Sequence, residues 1–445
     1  MRYDPPDPVE NSYTTILYNF FTEGSLRDCW LPLFIKKVWG MKSNNSSEKV
    51  KRLRECLSQP IIDMNELRQC CWTGVPSNDR PLAWKLLLNF APLNKSRRSI
   101  TIQRRRREYH HQHVPFSNSQ CAASSSPEHA NLHKQIRLDI DRTAPHIPLF
   151  RQQRIKSSLI RILYAHACRN PAASYVQGMN DLILPIFAVL LSEYIPSKSC
   201  GDYSYEASDI QGLIQDGAEN IPNETLNQVE ADTYFCFTNF VSAMQDHFLM
   251  DQPRIQHMVH LLHDYLERVD VELYEHLVKT CDLDLFHFSF RWMNCLLVRE
   301  LSLSCSLRIF DTYLCEWSDK LEWDTLHTYV CVAFLRSLRS KIIGKMADEI
   351  LGFLTVEIPE YSRQNILIHE VEIWLGQAHV WRSADIANHA FEILPKVARH
   401  HILDLSFLRT LGDMIWDRDG NIMGEDHFGR GNTRADDNNL FDCRV

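Results

Sequence analysis

Two short polar segments carry groups fitted to phosphate chemistry. In the first, 136–143 (IRLDIDRT), Asp139 and Arg142 stand at i, i+3. In the second, 175–181 (YVQGMND), Gln177 and Gly178 are flanked by Tyr175 and Asn180. A guanidinium stays charged at any physiological pH and forks its donors toward phosphate oxygens. A primary amide can accept from a water and donate to an oxygen, so it orients a nucleophile without titrating. Each segment alone also has a plain structural reading. Asp139 and Arg142 form a surface ion pair worth about 0.2–0.5 kcal/mol, and a lone arginine is most often a solvated charge. Gln177 serves equally as an N-terminal turn residue, with Gly178 admitting tight packing.

The elements that must position these groups read as helices. Asp63 and Glu66 are spaced as an N-cap and its N3 partner, and Gly74, Val75 and Pro76 break the helix they open. Pro81 suits the first turn of the next helix, where Ala83, Leu86, Leu87 and Phe90 share a face until Pro92 closes it. Segment 157–168 (SSLIRILYAHAC) is apolar at helical spacing and stops at Asn170 and Pro171, just before the Gln177 segment. The longest apolar run, 182–191, contains Pro185 and is too short to cross a bilayer, so it reads as a buried core helix. Further helices are predicted over 232–248, 254–269, 286–300 and 327–340. With only 15 glycines in 445 residues, strand-and-turn architectures are disfavoured and the expected fold class is all-α, in one large bent multi-helical domain.

Composition excludes several functions. A content of 44% hydrophobic and 23% charged residues is that of a soluble globular protein. A net charge of -8 argues against a general nucleic-acid binder. The 14 cysteines are scattered without a Cys-x-x-Cys pair, which reads as reduced thiols in a cytosolic protein. The acidic, proline-bearing start is no secretory signal and no transmembrane segment is expected, so membrane contact is peripheral. No Gly-x-x-x-x-Gly-Lys-Ser/Thr, Gly-x-Gly-x-x-Gly, Gly-x-Ser-x-Gly or His-Glu-x-x-His motif occurs, so the chain does not itself bind nucleotide by those devices.

His110, His111 and His113 follow the run Arg104 to Arg107. On a helix the pairs Glu108/His111 and His110/His113 point to different faces, so no metal site converges. The arginine run reads as a solvated face, or else as a contact for an acidic partner or lipid surface. Asp417, Asp419 and Gly420 resemble a calcium loop, but that register puts Ile415 at the first ligand position and fails.

Taken in order, the two polar segments resemble the paired fingers of the TBC family of Rab GTPase-activating proteins, Ile-x-x-Asp-x-x-Arg followed by Tyr-x-Gln. Flanking landmarks fit too: Gly74, Val75 and Pro76 with Arg80 and Trp84, then 230–237 (EADTYFCF), Arg291 and Trp292 in 290–300 (FRWMNCLLVRE), and 307–311 (LRIFD) ending at Asp311. The resemblance covers about 50–354, and the family's member 22 subgroup fits best, through 142–150 (RTAPHIPLF) and 290–300.

The resemblance implies the following. Arg142 is an arginine finger given in trans to a GTP-bound Rab, neutralising charge in the transition state, an effect worth 10³–10⁵ in rate, or about 4–7 kcal/mol. Gln177 stands in for the GTPase's own glutamine. Asp139, Tyr175, Gly178 and Asn180 support the fingers, whereas Gly74, Pro76, Arg80, Trp84, Arg291, Trp292 and Asp311 are architecture: buried aromatic N–H groups need acceptors and buried charges need pairing. The chain carries no cofactor or metal of its own, since magnesium and GTP belong to the partner, and it turns over no bound cofactor. It would regulate vesicle trafficking from the cytoplasm, recruited through partners to Golgi or other endomembranes. A catalytically idle scaffold for Rab or trafficking proteins is the competing reading; it would be favoured by a missing finger, and both are present. A helical adaptor unrelated to GTPases would require the motif order to be coincidence.

The expected organisation is an N-terminal extension over 1–47, a TBC domain over 48–355 with a flexible acidic insert at 196–230, a divergent helical end over 356–408 and a polar disordered tail over 409–445. A polar loop is expected at 117–126. Three departures from the family stand out: Phe310 where tryptophan is usual, Asp141 where a neutral residue or proline is usual, and poor matching beyond 354.

Overall fold

The computed structural model describes residues 45–113, 127–171, 174–195, 221–249, 251–316 and 323–393. Among them every regular element is a helix, with one isolated bridge between Ile61 and Asn94. The longer helices are α1 (Asn45–Ser58), α2 (Met64–Trp72), α3 (Arg80–Leu87), α4 (Lys95–Glu108), α5 (Pro127–Arg142), α6 (Gln153–Arg169) and α7 (Met179–Ser192). They continue as α8 (Asn223–Ala243), α9 (Pro253–Val269), α10 (Phe286–Cys295), α11 (Leu303–Glu316), α12 (Trp323–Ser337), α13 (Ile358–Asn365) and α14 (Ile368–Ile393). Contacts group 1–385 as one unit and 386–445 as another, of which only the end of α14 is described.

The apolar run around Pro185 explains the arrangement. It becomes α7, buried from Met179 to Leu191, and an apolar helix without a polar face must be covered on all sides. It packs against α3, α5, α6, α8, α10 and α11. Each large apolar side chain so buried contributes about 1.5–3 kcal/mol. The polar residues at the start of α7 are thereby fixed at a junction of several helices.

Asp311 ties the front of the chain to α11. Its carboxylate accepts from the Val75 amide (2.9 Å), from Arg80 Nη2 (2.9 Å) and from Trp84 Nε1 (2.7 Å). Gly74 makes the approach possible: its φ is +106°, and a Cβ there would lie 3.1 Å from Arg308 Nε. The Pro76 carbonyl accepts from the amides of Asp79 and Arg80 and starts α3. Phe310 stacks on Trp84 at 6.0 Å between ring centroids and meets Phe240 at 5.5 Å, so the smaller ring fills its place fully buried. Arg291 pairs with Glu300 at 2.5 Å and donates to the Thr355 carbonyl. Trp292 departs from expectation. Packed between Phe288 and Phe334, its indole N–H has no hydrogen-bond partner among the described residues; the surrounding rings outweigh a cost of about 1–3 kcal/mol.

Three other expectations are corrected. The helix predicted over 286–300 ends at Cys295, because Leu296 and Leu297 adopt φ of 49° and 60°. Both leucines are buried, which offsets the left-handed strain of about 1–2 kcal/mol each. The insert predicted over 196–230 gives way to helix at Asn223, since Leu226 and Val229 are buried and the buried Glu230 accepts from Arg161 and Tyr109. The arginine run is only half a solvated face: Arg104 and Arg107 are exposed, whereas Arg105 donates to the carbonyls of Asn89 and Phe90 and Arg106 grips Asp232. The rest of the insert (196–220), the loop at 117–126, the extension before Asn45 and the segments 394–408 and 409–445 lie outside the described residues.

Candidate functional site

The two polar segments converge on the N-terminal end of α7. Arg142 is the last residue of α5, and Gln177 and Gly178 form the turn into α7. Both reactive side chains are exposed, whereas the groups beneath them are buried.

Asp139 is the hinge of the network. One carboxylate oxygen accepts from Arg142 Nη2 at 2.5 Å, and the other accepts from the Tyr175 hydroxyl at 2.6 Å. The Asp139 carbonyl accepts from the Thr143 hydroxyl at 2.5 Å, and that hydroxyl accepts from Asn180 Nδ2 at 2.9 Å. Asn180 Oδ1 in turn accepts from the Gly178 amide at 2.9 Å. One connected network therefore links the base of the arginine to the backbone beside the glutamine. Tyr175 is held in its protonated form: desolvation first, then its bond to Asp139, push its hydroxyl well above the usual range. It is thus a permanent donor.

Gly178 is needed for its backbone. Its φ of +115° suits no L side chain, and a Cβ would stand 2.4 Å from Asn294 Nδ2. That close approach lets Asn294, on α10, donate to the Gln177 carbonyl at 2.8 Å. The glutamine's backbone is fixed from two helices while its amide stays exposed.

Arg142 and Gln177 line one cleft of about 360 Å³. The loop 143–147 forms one side, Asp181, Leu184 and Arg299 lie along the floor and rim, and Pro359 and Arg363 from α13 form another wall. Burial pushes the Asp181 carboxyl up, and Arg299, with Nε 3.2 Å away, opposes that shift. The Arg142 side chain is 56% exposed, whereas Asp139 is 7% exposed, so water screens the pair only from the arginine's side. A guanidinium has five N–H donors, so its exposed edge can meet a second anion beyond Asp139. Asp141, the acidic neighbour, is partly neutralised by Lys156 Nζ at 3.1 Å.

Every sequence-predicted site residue is described. Arg142, Asp139, Tyr175, Gln177, Gly178 and Asn180 come together; Gly74, Pro76, Arg80, Trp84 and Asp311 form a separate structural cluster, and Arg291 and Trp292 lie on α10. Thr143, Asp181, Asn294, Arg299 and Arg363 were not singled out as site residues from sequence. Asn180 with Asp181 opening an otherwise apolar helix, and Asn294 within an apolar run, were the available signals. Arg299 stands next to last in the landmark segment 290–300 without being assigned a site role there, and nothing local marks Arg363.

Residues 77–343 match the Rab-GTPase-TBC domain family. The chain is 35% identical to human TBC1 domain family member 22B over 343 residues, covering 77% of this chain and 63% of that protein. It is 36% identical to the GTPase-activating protein gyp1 of Schizosaccharomyces pombe, covering 77% of this chain and 62% of that protein. The chain thus spans somewhat less than two thirds of the length of these relatives. The crystal structure of the Ypt/Rab-GAP domain of Gyp1p superposes with a TM-score of 0.67 at 32% identity, covering 76% of this chain and 99% of that one.

Proposed function

Because the chain belongs to the Rab-GTPase-TBC domain family, we propose that it accelerates GTP hydrolysis by a GTP-bound Rab-family GTPase, with Arg142 and Gln177 entering the nucleotide site. The observation that carries this reading is that both residues, distant in sequence, line one cleft with exposed reactive groups on a shared buried network. Water attacks the γ-phosphorus, the bond to the β,γ-bridging oxygen breaks, and GDP and inorganic phosphate leave. Arg142 gives up its half-exposed pair with Asp139 and neutralises charge growing on the phosphoryl and leaving oxygens. The Gln177 side-chain amide accepts from the attacking water and donates to a phosphate oxygen, and the residue's fixed backbone carbonyl limits the search for that pose. Nucleotide and magnesium belong to the GTPase. Rab-family substrates place the protein in vesicle trafficking, at endomembranes reached through its partners; among the described residues no helix is long and apolar enough to cross a membrane.

The test is single-turnover GTP hydrolysis by a panel of purified Rab proteins. The wild-type chain accelerates at least one of them, Arg142→Ala loses about 10³-fold or more of that acceleration, and Gln177→Ala is also severely impaired. A folded wild-type chain that accelerates none, while binding Rab, would replace this reading with that of a scaffold.

A further inference from the structure

One wall of the finger cleft comes from outside the family match. That match ends at residue 343, yet Pro359 and Arg363 of α13 line the cleft with Arg142 and Gln177. The helix is well seated for its length, with a proline in its first turn and Ile358 and Ser362 buried. Arg363 Nη2 donates to Glu360 at 2.6 Å; the arginine side chain is 24% exposed and the glutamate 62%. A largely withdrawn cation is therefore paired with a carboxylate that stands mostly in water. Glu360 has a second donor, Gln364 Nε2, also at 2.6 Å. His146, in the loop that follows Arg142, adds no charge at neutral pH: desolvation first and Arg363 second hold it below the ordinary histidine range.

We propose that Arg363 is a specificity-determining residue, which on docking exchanges Glu360 for an acidic side chain of the GTPase beside its nucleotide. The inference rests on the Rab-directed reading above. One feature favours a protein carboxylate over a phosphate oxygen. Arg142 already offers a guanidinium to the phosphates. Exchanging Glu360 for another anion leaves the largely withdrawn Arg363 paired as the cleft closes, whereas an arginine enclosed without a partner is strongly unfavourable. A GTPase presenting an amide or aliphatic group there forces Arg363 to keep Glu360 in a water-excluded joint, and is selected against.

The experiment measures kcat and KM for GTP-loaded Rab proteins across a panel, using the whole chain. Arg363→Gln raises KM about tenfold for the best-served GTPases and much less for the others, with kcat within about twofold, as expected of a charge contact made in ground and transition states alike. Glu360→Gln does the opposite and lowers KM several-fold, because the competing carboxylate is gone. If Arg363→Gln lowers the unfolding midpoint, Arg363→Lys and Glu360→Gln decide the matter. An unchanged KM in Glu360→Gln and in the folded Arg363 variant overturns the proposal. So does a fall in kcat at constant KM, which would assign Arg363 to the phosphates. Failure of the wild-type chain to accelerate any Rab overturns the underlying reading instead, before any variant is made.

Discussion

Replacing Gly178 with alanine should disable the glutamine without touching either finger. Two penalties add. The backbone at φ +115° and ψ -31° belongs to glycine, and holding an L residue there costs about 1–3 kcal/mol. The new Cβ would stand 2.4 Å from Asn294 Nδ2, so the amide must retreat. Retreat breaks its bond to the Gln177 carbonyl, worth about 0.5–1.5 kcal/mol. The sum is about 1.5–4.5 kcal/mol, unless the turn moves and relieves both. Movement is the more damaging outcome for activity: a shift of about 1 Å can cost 10²-fold in rate. The assay pairs thermal unfolding with single-turnover hydrolysis of a responsive Rab. Gly178→Ala should lower the unfolding midpoint by a few degrees and slow stimulated hydrolysis about 10²-fold, with Rab binding retained through the rest of the surface. Asn294→Ala removes the clash but keeps the φ penalty and deletes the same bond, so the double variant should recover little of the stability or the activity. Wild-type stability and rate in Gly178→Ala would refute the claim that this turn is locked by close approach.

Two further outcomes follow from the buried polar groups. Tyr175→Phe removes the 2.6 Å donor to Asp139 and should cost about 1.5–3 kcal/mol of stability, as for hydrogen bonds to charged groups, with a smaller loss of stimulated hydrolysis than Arg142→Ala; equilibrium denaturation and the same kinetic assay check both. His166, His247 and His327 are buried, and desolvation lowers them to about 4, 3 and 4. Folded pKa values below the unfolded value of about 6.5 mean that the unfolded chain binds more protons between those limits, so stability falls as pH drops from about 6.5 toward 4. Each histidine contributes at most about 1.4 kcal/mol per pH unit, and unfolding midpoints measured from pH 7 to pH 4.5 that stay flat would contradict it.

What the sequence revealed depended on whether the signal was local. α3 was legible because Pro81, Ala83, Leu86 and Leu87 lie within its own span, although it ends at Leu87, before Phe90 and Pro92. α7 was legible because an apolar run of that length has nowhere to go but the core. The end of α10 was not, since Leu296 and Leu297 look helical and turn left-handed only because tertiary burial outweighs their local preference. The start of α8 was missed for the converse reason: Asn223 to Glu230 is polar in composition, and its order comes from Arg161 and Tyr109 reaching Glu230 from far along the chain. In the site, the pairing of Asp139 with Arg142 was readable from i, i+3 spacing. The role of Asn294 was not, because it acts through a backbone carbonyl more than a hundred positions away.

The site divides its work between exposed and buried groups, and the division has a physical cause. The proposed entry of Arg142 into a partner's nucleotide site requires freedom from its own surroundings, and its side chain is 56% exposed above the buried Asp139. Freedom alone would leave it disordered and the entropy of fixing a long side chain unmet. The compromise is to make the backbone rigid and leave the last bonds of the side chain loose. Asp139, Tyr175, Thr143 and Asn180 do this for Arg142, and Asn180 and Asn294 do it for Gln177. Asn180 belongs to both sets, so one buried amide ties together the backbones that carry Arg142 and Gln177. Its replacement by leucine should therefore lower stimulated hydrolysis more than the product of weakening each finger alone, a non-additivity that a double-mutant cycle with Gln177→Ala would read directly. Strict additivity would mean that the fingers are held independently, and that the shared network serves stability alone.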